Sequence, residues 1–177
     1  MKVINNLSEL ITELNNSTKD DYAAIGARLE IPIAQLQSYA HWNSNFYTRN
    51  CIERTDHYEL ILLCWESGQD TPVHCHGGEE CWVYVMEGKL KETHIQVEEN
   101  ELITESIEIL SKGEKSFMCD DLGYHKLENI ADHRSISLHL YMDPIDTCTK
   151  FDEKLNTFEQ VDLNYYSYKG QLEKALV

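Results

Sequence analysis

Basic residues are scarce in this chain: 15 lysines and arginines stand against 31 aspartates and glutamates, a formal charge of −16 over 177 residues. The acidic side chains are spread along the chain with no terminal block. A surface of that sign repels phosphate backbones and anionic headgroups, so neither nucleic acid nor a membrane is an expected partner. No stretch approaches the roughly 20 apolar residues that a membrane-spanning helix needs. The opening MKVINNLSELITELNN has neither an apolar core nor a small-residue cleavage site. The six cysteines, Cys51, Cys64, Cys75, Cys81, Cys119 and Cys148, form no C-x-x-C pair. Most sit in strand-like runs where a small apolar residue serves as well, so a disulfide framework is not expected and a cytoplasmic, reducing location is. At this length one domain is expected over residues 1–177.

Residues 1–45 read as helical. Leu7, Leu10, Ile11 and Leu14 recur at helical spacing, with Asn6 or Ser8 as cap. Thr18 to Leu29 carries acids early and Arg28 late, and Pro32 suits the first turn of a third short helix running toward Tyr39. From Phe46 the texture changes to short β-branched and aromatic runs: FYTRNCIER, YELILLCW, CWVYVME, KLKETHIQV, LITESIEIL, KSFMC and SISLHLYM. Glu87-Gly88 is short enough for a hairpin, and Glu98-Glu99-Asn100 offers a second polar turn. TFEQVDLNYYSY is one more strand, and the end near Leu172 to Val177 is expected to fray. The expectation is a mainly β sandwich or barrel over 46–170, with a tail at 171–177.

The chemistry concentrates in Gly68-QDTPV-His74-Cys75-His76-GGEECWVYVMEGKL. Residues i and i+2 of a strand face the same way, so His74 and His76 can grip one ion. An isolated H-x-H is a weak signal, more often an ordinary pair of loop-edge histidines. A third ligand is needed, and His125 in LGYHKLEN is available; three neutral imidazoles would occupy one face of an octahedral metal.

With Gly68 upstream, Gly88 downstream and His125-KLE-Asn129 later, the segment resembles the paired motifs of the cupin superfamily. That resemblance implies a jelly-roll β-barrel preceded by short α-helices. The usual first motif places a glutamate three or four residues after H-x-H, with six residues before the next glycine. Here that slot holds Cys81, and strand parity turns Cys81, rather than Glu80, inward. Three neutral imidazoles leave the full 2+ charge of a ferrous ion to exogenous ligands, which suits an anionic thiolate.

The ordered set YTRN (Tyr47 to Asn50), LCW (Leu63 to Trp65), H-x-H, Cys81, GKLKET, LGYHKLEN, SLHLY and DTC (Asp146 to Cys148) resembles the cysteine dioxygenases over roughly 46–170. The resemblance implies an Fe(II) cofactor on His74, His76 and His125, and L-cysteine and dioxygen as substrates. It also implies cysteine sulfinic acid as product, and a monomer. It assigns Arg49 and Tyr47 to the substrate carboxylate and makes Ser137, His139 and Tyr141 a relay on one strand face. Cys81 and Tyr141 become partners in a thioether crosslink, and Cys148 lies near the site entrance. The chain departs from vertebrate members after Tyr141, reading Met142-Asp143-Pro144 where they have Ser-Pro-Pro. Trp65 is expected to support the site by packing or to be a plain core tryptophan, and Cys51, Cys64, Cys75 and Cys119 to be core or strand residues. Three rivals remain open: a dioxygenase for another thiol such as 3-mercaptopropionate, a non-catalytic metal-binding cupin, and a zinc or nickel isomerase.

Overall fold

A computed structural model describes residues 2–99 and 101–173. Helix α1 spans Leu7–Asn15 and α2 spans Lys19–Gly26. Of the two possible caps it is Asn6 that acts: its side-chain oxygen accepts from the Glu9 amide at 2.7 Å. At α2 the Thr18 amide donates to Asp21 Oδ2 at 3.0 Å. The expected third helix is instead two 3-10 turns, Ile33–Gln35 and Gln37–Tyr39. So short a segment cannot repay the nucleation of an α-helix, and the tighter i to i+3 bond closes after one turn each time.

The strands are β1 (Thr48–Arg54), β2 (Glu59–Trp65), β3 (Cys81–Glu87), β4 (Lys89–Glu98), β5 (Glu101–Ser111), β6 (Lys115–Met118), β7 (Tyr124–Asn129), β8 (Ser135–Tyr141), β9 (Thr147–Asp152), β10 (Thr157–Asp162), β11 (Ser167–Tyr168) and β12 (Gln171–Leu172). One sheet has the order β12-β11-β1-β2-β8-β3-β6. Opposite it lie β5-β4-β7 and β10-β9, joined through His74, which bridges both His125 on β7 and Lys150 on β9. This is the mainly β, two-layer arrangement expected of a jelly roll; among the described residues no strand ladder joins the two sheets.

Strands β2 and β8 are buried along their whole length, so each has two dry faces. Even-numbered Leu60, Leu62, Leu138 and Leu140 pack against Leu10, Leu14, Tyr22, Ile25 and Leu36 of the N-terminal segment. Odd-numbered Ile61, Leu63 and Trp65 turn the other way and meet Val83, Val85, Leu90, Leu110 and Leu127 between the sheets. The period of 2 therefore divides one set of strands between a helix-covered core and an inter-sheet core.

Three expectations need correction. Glu87-Gly88 is not a hairpin, because β3 and β4 belong to different sheets. Gly88 is a corner with φ 81°, where an added Cβ would collide with the Ser135 side chain, so only glycine lets the chain cross there. The TFEQVDLNYYSY run is not one strand: it supplies β10 to one sheet and β11 to the other. Residues 147–152 form β9, a strand that the sequence pattern did not mark. The expected turn at 98–100 does join the antiparallel pair β4 and β5, with Glu99 at φ 50°; Asn100 lies outside the described residues, as does the expected frayed end from 174 on.

Candidate active site

His74 and His76 sit on the segment that leaves the seven-stranded sheet after β2 and returns to it at β3; between the two it bridges β7 and β9 and is pinned at several points. The His74 amide donates to the His125 carbonyl at 2.9 Å, and the His125 amide returns the bond at 2.9 Å. Cys75 donates to the Thr149 carbonyl at 3.0 Å. Asp120 takes the amides of His76 at 2.9 Å and Gly78 at 2.7 Å, closing the loop from the far side.

These constraints bring the three imidazoles together: one ring nitrogen of each of His74, His76 and His125 lies within 4.8 Å of the others. His125 Nδ1 donates to Glu92 Oε1 at 2.7 Å and His74 Nδ1 to the Pro72 carbonyl at 3.0 Å, so both rings present Nε2 as a lone pair. His76 Nε2 lies 2.9 Å from His125 Nε2, while its own buried Nδ1 has no partner. Burial and the neighbouring His125 ring push His74 down to about 3, and burial with the neighbouring rings pushes His76 well down too. Neutral nitrogens converging this closely want a cation between them, and the donor set fits a divalent transition metal.

A cavity of about 260 Å³ opens beside His74, walled by Tyr47, Arg49, Tyr141, Ile145, Cys148 and Leu163 among others. Arg49 is largely buried on β1, 3.8 Å from the Glu59 carboxylate and 5.8 Å from the centre of the Tyr141 ring. Its Nε and Nη2 have no hydrogen-bond partner. Tyr47 stacks on Trp65 with ring centres 4.7 Å apart. Burial raises the Tyr47 hydroxyl above its ordinary range.

On β8, Ser137, His139 and Tyr141 share the inner face, all buried. Trp65 Nε1 donates to Ser137 Oγ at 3.0 Å, and Ser137 Oγ lies 2.8 Å from His139 Nε2. The other ring nitrogen of His139 faces Cys81 Sγ at 3.9 Å, while its ring lies over that of Tyr141 at 6.3 Å. Cys81 and Tyr141 are direct cross-strand partners in the β3 and β8 ladder. Burial holds both the Cys81 thiol and the Tyr141 hydroxyl well above their ordinary values, so both are protonated near neutrality. Cys81 is fully buried and Glu80 is half-buried, as parity required.

The family model for cysteine dioxygenase type I matches residues 2–154. The chain belongs to this family. It is 30% identical over 156 residues to cysteine dioxygenase type 1 of Homo sapiens, covering 85% of this chain and 78% of that one. The Bos taurus enzyme is 31% identical with the same coverage, and that of Danio rerio 28% identical over 139 residues, 75% of this chain and 69% of that one. Two solved structures share the fold. One is a protein with a double-stranded β-helix domain from Klebsiella pneumoniae (TM-score 0.53, 13% identity, 72% of this chain and 95% of that one). The other is the TT1209 protein of Thermus thermophilus (TM-score 0.51, 19% identity, 61% of this chain and 93% of that one).

The cysteine dioxygenase motifs bring the expected residues together, with additions. Trp65 does more than pack, since its indole N–H fixes Ser137. Glu92 and Asp120 were missed. Glu92 lies in GKLKET at the same strand parity as Leu90, and a carboxylate at a core-facing position was the available signal. Of the four cysteines set aside, Cys51 and Cys64 are buried in strands, whereas Cys75 and Cys119 are half-buried outside them.

Proposed function

We propose that the protein is a thiol dioxygenase that binds Fe(II) through His74, His76 and His125 and converts L-cysteine and dioxygen to cysteine sulfinic acid, both oxygen atoms ending on sulfur. The observation that carries this reading is the juxtaposition of three neutral, converging imidazoles with a small cavity whose far wall presents a buried, incompletely paired guanidinium. Ferrous iron at that triad would accept the substrate thiolate and dioxygen and pass electrons between them.

The chain's own residues then have definable tasks. Arg49 takes the substrate carboxylate through its free N–H groups, and its charge stays fixed because the nearby Glu59 carboxylate offsets the cost of burial. Tyr47, held flat against Trp65, borders the same end of the cavity and assists. Tyr141 keeps its proton and donates a hydrogen bond to oxygen as it adds to sulfur. His139, kept neutral by burial and oriented by Ser137, is the wall behind Tyr141. Cys81 forms a thioether with the ring of its cross-strand partner Tyr141, a step that removes two hydrogens and delivers their electrons to dioxygen; the Cys81 and Tyr141 register supports this reading. The reading includes a cytoplasmic, reducing setting and a monomeric, single-domain enzyme.

The test loads purified protein with Fe(II) without oxygen, adds cysteine, admits air, and follows dissolved oxygen and product mass together. Uptake of one dioxygen per cysteine, with a product two oxygen atoms heavier, is expected. Uptake only with 3-mercaptopropionate would move the substrate to a thiol lacking the amine. No uptake with any thiol would overturn the enzyme reading.

A further inference from the structure

Glu92 serves His125 with only one of its two oxygens. Its Oε2 is buried and has no hydrogen-bond partner, although the side chain is fully inaccessible. A buried carboxylate oxygen without a partner carries a desolvation penalty, so its surroundings are informative. It lies 3.9 Å from His94 Nε2, and the buried Ser116 hydroxyl stands beside the same carboxylate.

The strand register explains the arrangement. His94 is the cross-strand partner of His125, and Glu92 is the partner of Glu108 on β5. Glu92, His94 and Glu108 therefore project from one face of the three-stranded sheet. One potential ligand atom from each falls within 4.8 Å of the others. The β4 and β5 ladder shifts register between His94 and Ile95, a bulge of the kind that re-aims a side chain. A cleft between β5 and the short strand β6, lined by His94, Glu108, Ser116 and Phe117, leads in from solvent.

We propose that Glu92, His94 and Glu108 form a second divalent-cation site, separate from the three-histidine site and joined to it by the Glu92 carboxylate. One imidazole and two carboxylates neutralise a 2+ ion and supply borderline donors, a set that favours Zn²⁺ or a neighbouring transition metal over Ca²⁺ or Mg²⁺. Tetrahedral ligands at Zn²⁺ distances stand about 3.3 Å apart. His94 Nε2 and Glu92 Oε2 stand 3.9 Å apart, somewhat wider, so the half-buried His94 ring and the exposed Glu108 side chain would both turn inward on a bound ion. Lys115, the cation lining the cleft, does not fill the place: its ammonium reaches the Ala27 carbonyl at 3.3 Å and lies over the Tyr84 ring. Because one carboxylate serves both centres, a cation at the second draws electron density away from the hydrogen bond that orients His125.

The test titrates Zn²⁺ alone into the metal-free full chain, counting tightly held equivalents by calorimetry and by elemental analysis after gel filtration. Two equivalents are expected for the wild type and one for Glu108→Gln, for His94→Ala and for His74→Ala. Circular dichroism checks that each variant is folded, and Glu108→Gln alters an exposed side chain that the fold does not need. One equivalent in the wild type that vanishes in His74→Ala would overturn the proposal, as would two equivalents retained by both Glu108→Gln and His94→Ala. One wild-type equivalent kept by His74→Ala but lost in Glu108→Gln would support it while removing the three-histidine centre from the functional reading above.

Discussion

At the centre of the seven-stranded sheet, along β2 and β8, both faces are dry but do different work. The face under the N-terminal helices buries Leu60, Leu62, Leu138 and Leu140, with the Cys64 thiol beside them and no carboxylate or cation of β2 or β8. The opposite face of the same strands buries Ser137, His139, Tyr141 and Cys81. Apolar groups on the first face need only volume and shape, whereas each polar group on the second needs a partner. Partners are lacking at Arg49 Nε and Nη2 and, at the histidine cluster, at His76 Nδ1. The first face thus holds the strands at a fixed pitch and the second uses that pitch to aim side chains.

Substitutions on the two faces should separate cleanly. The largest effect is expected from His76→Ala, which should abolish iron retention and oxygen uptake while leaving the thermal midpoint of the metal-free protein nearly unchanged; elemental analysis beside a melting curve reads both. Arg49→Ala should cost about 2–5 kcal/mol of transition-state binding, at least about 30-fold in kcat/KM for cysteine. A substrate analogue without the carboxylate should lose far less in steady-state assays.

Across the sheet, Leu138→Ala should remove about 2–5 kcal/mol of folding stability by urea unfolding. Its iron affinity should match the wild type; a loss of metal in the folded variant would break the division between the faces. Glu92→Gln is expected to weaken metal binding at the histidines by about 10–100-fold, since the orienting acceptor loses its charge, and a competition titration with a chelator measures it. Smallest of all, Asn6→Ala should cost about 1 kcal/mol of stability through the lost cap of α1, with oxygen uptake unaltered.

Much of the site was legible because strands have a period of 2. The Ser137, His139 and Tyr141 series and the inward turn of Cys81 follow from counting, whereas His74 and His76 were read as a strand pair and in fact converge from the segment between β2 and β3. The ordered motifs supplied the remaining roles of Arg49 and Tyr47. Counting says which face a residue takes but not which sheet its strand joins. That is why the corner at Gly88 read as a hairpin, and why one apparent strand after Asn156 divides between two sheets. Glu92 escaped for a related reason. Its partner His125 lies on the neighbouring strand 33 residues away, and nothing local marks that pairing. The two 3-10 turns before Tyr39 show a third limit, since a helix-compatible composition does not decide between two hydrogen-bond patterns in so short a stretch.

His74 and His125 donate main-chain hydrogen bonds to each other as the bridge that stitches the second sheet together. Their separation is thus a property of the fabric, set by the same spacing as any pair of strands, and neither can drift from the other unless that seam unzips. An empty centre should accordingly stay loaded like a sprung clasp. The two amides should exchange with deuterium as a pair and at similar rates with or without metal, and refilling should be paced by diffusion of the ion rather than by refolding of the loop.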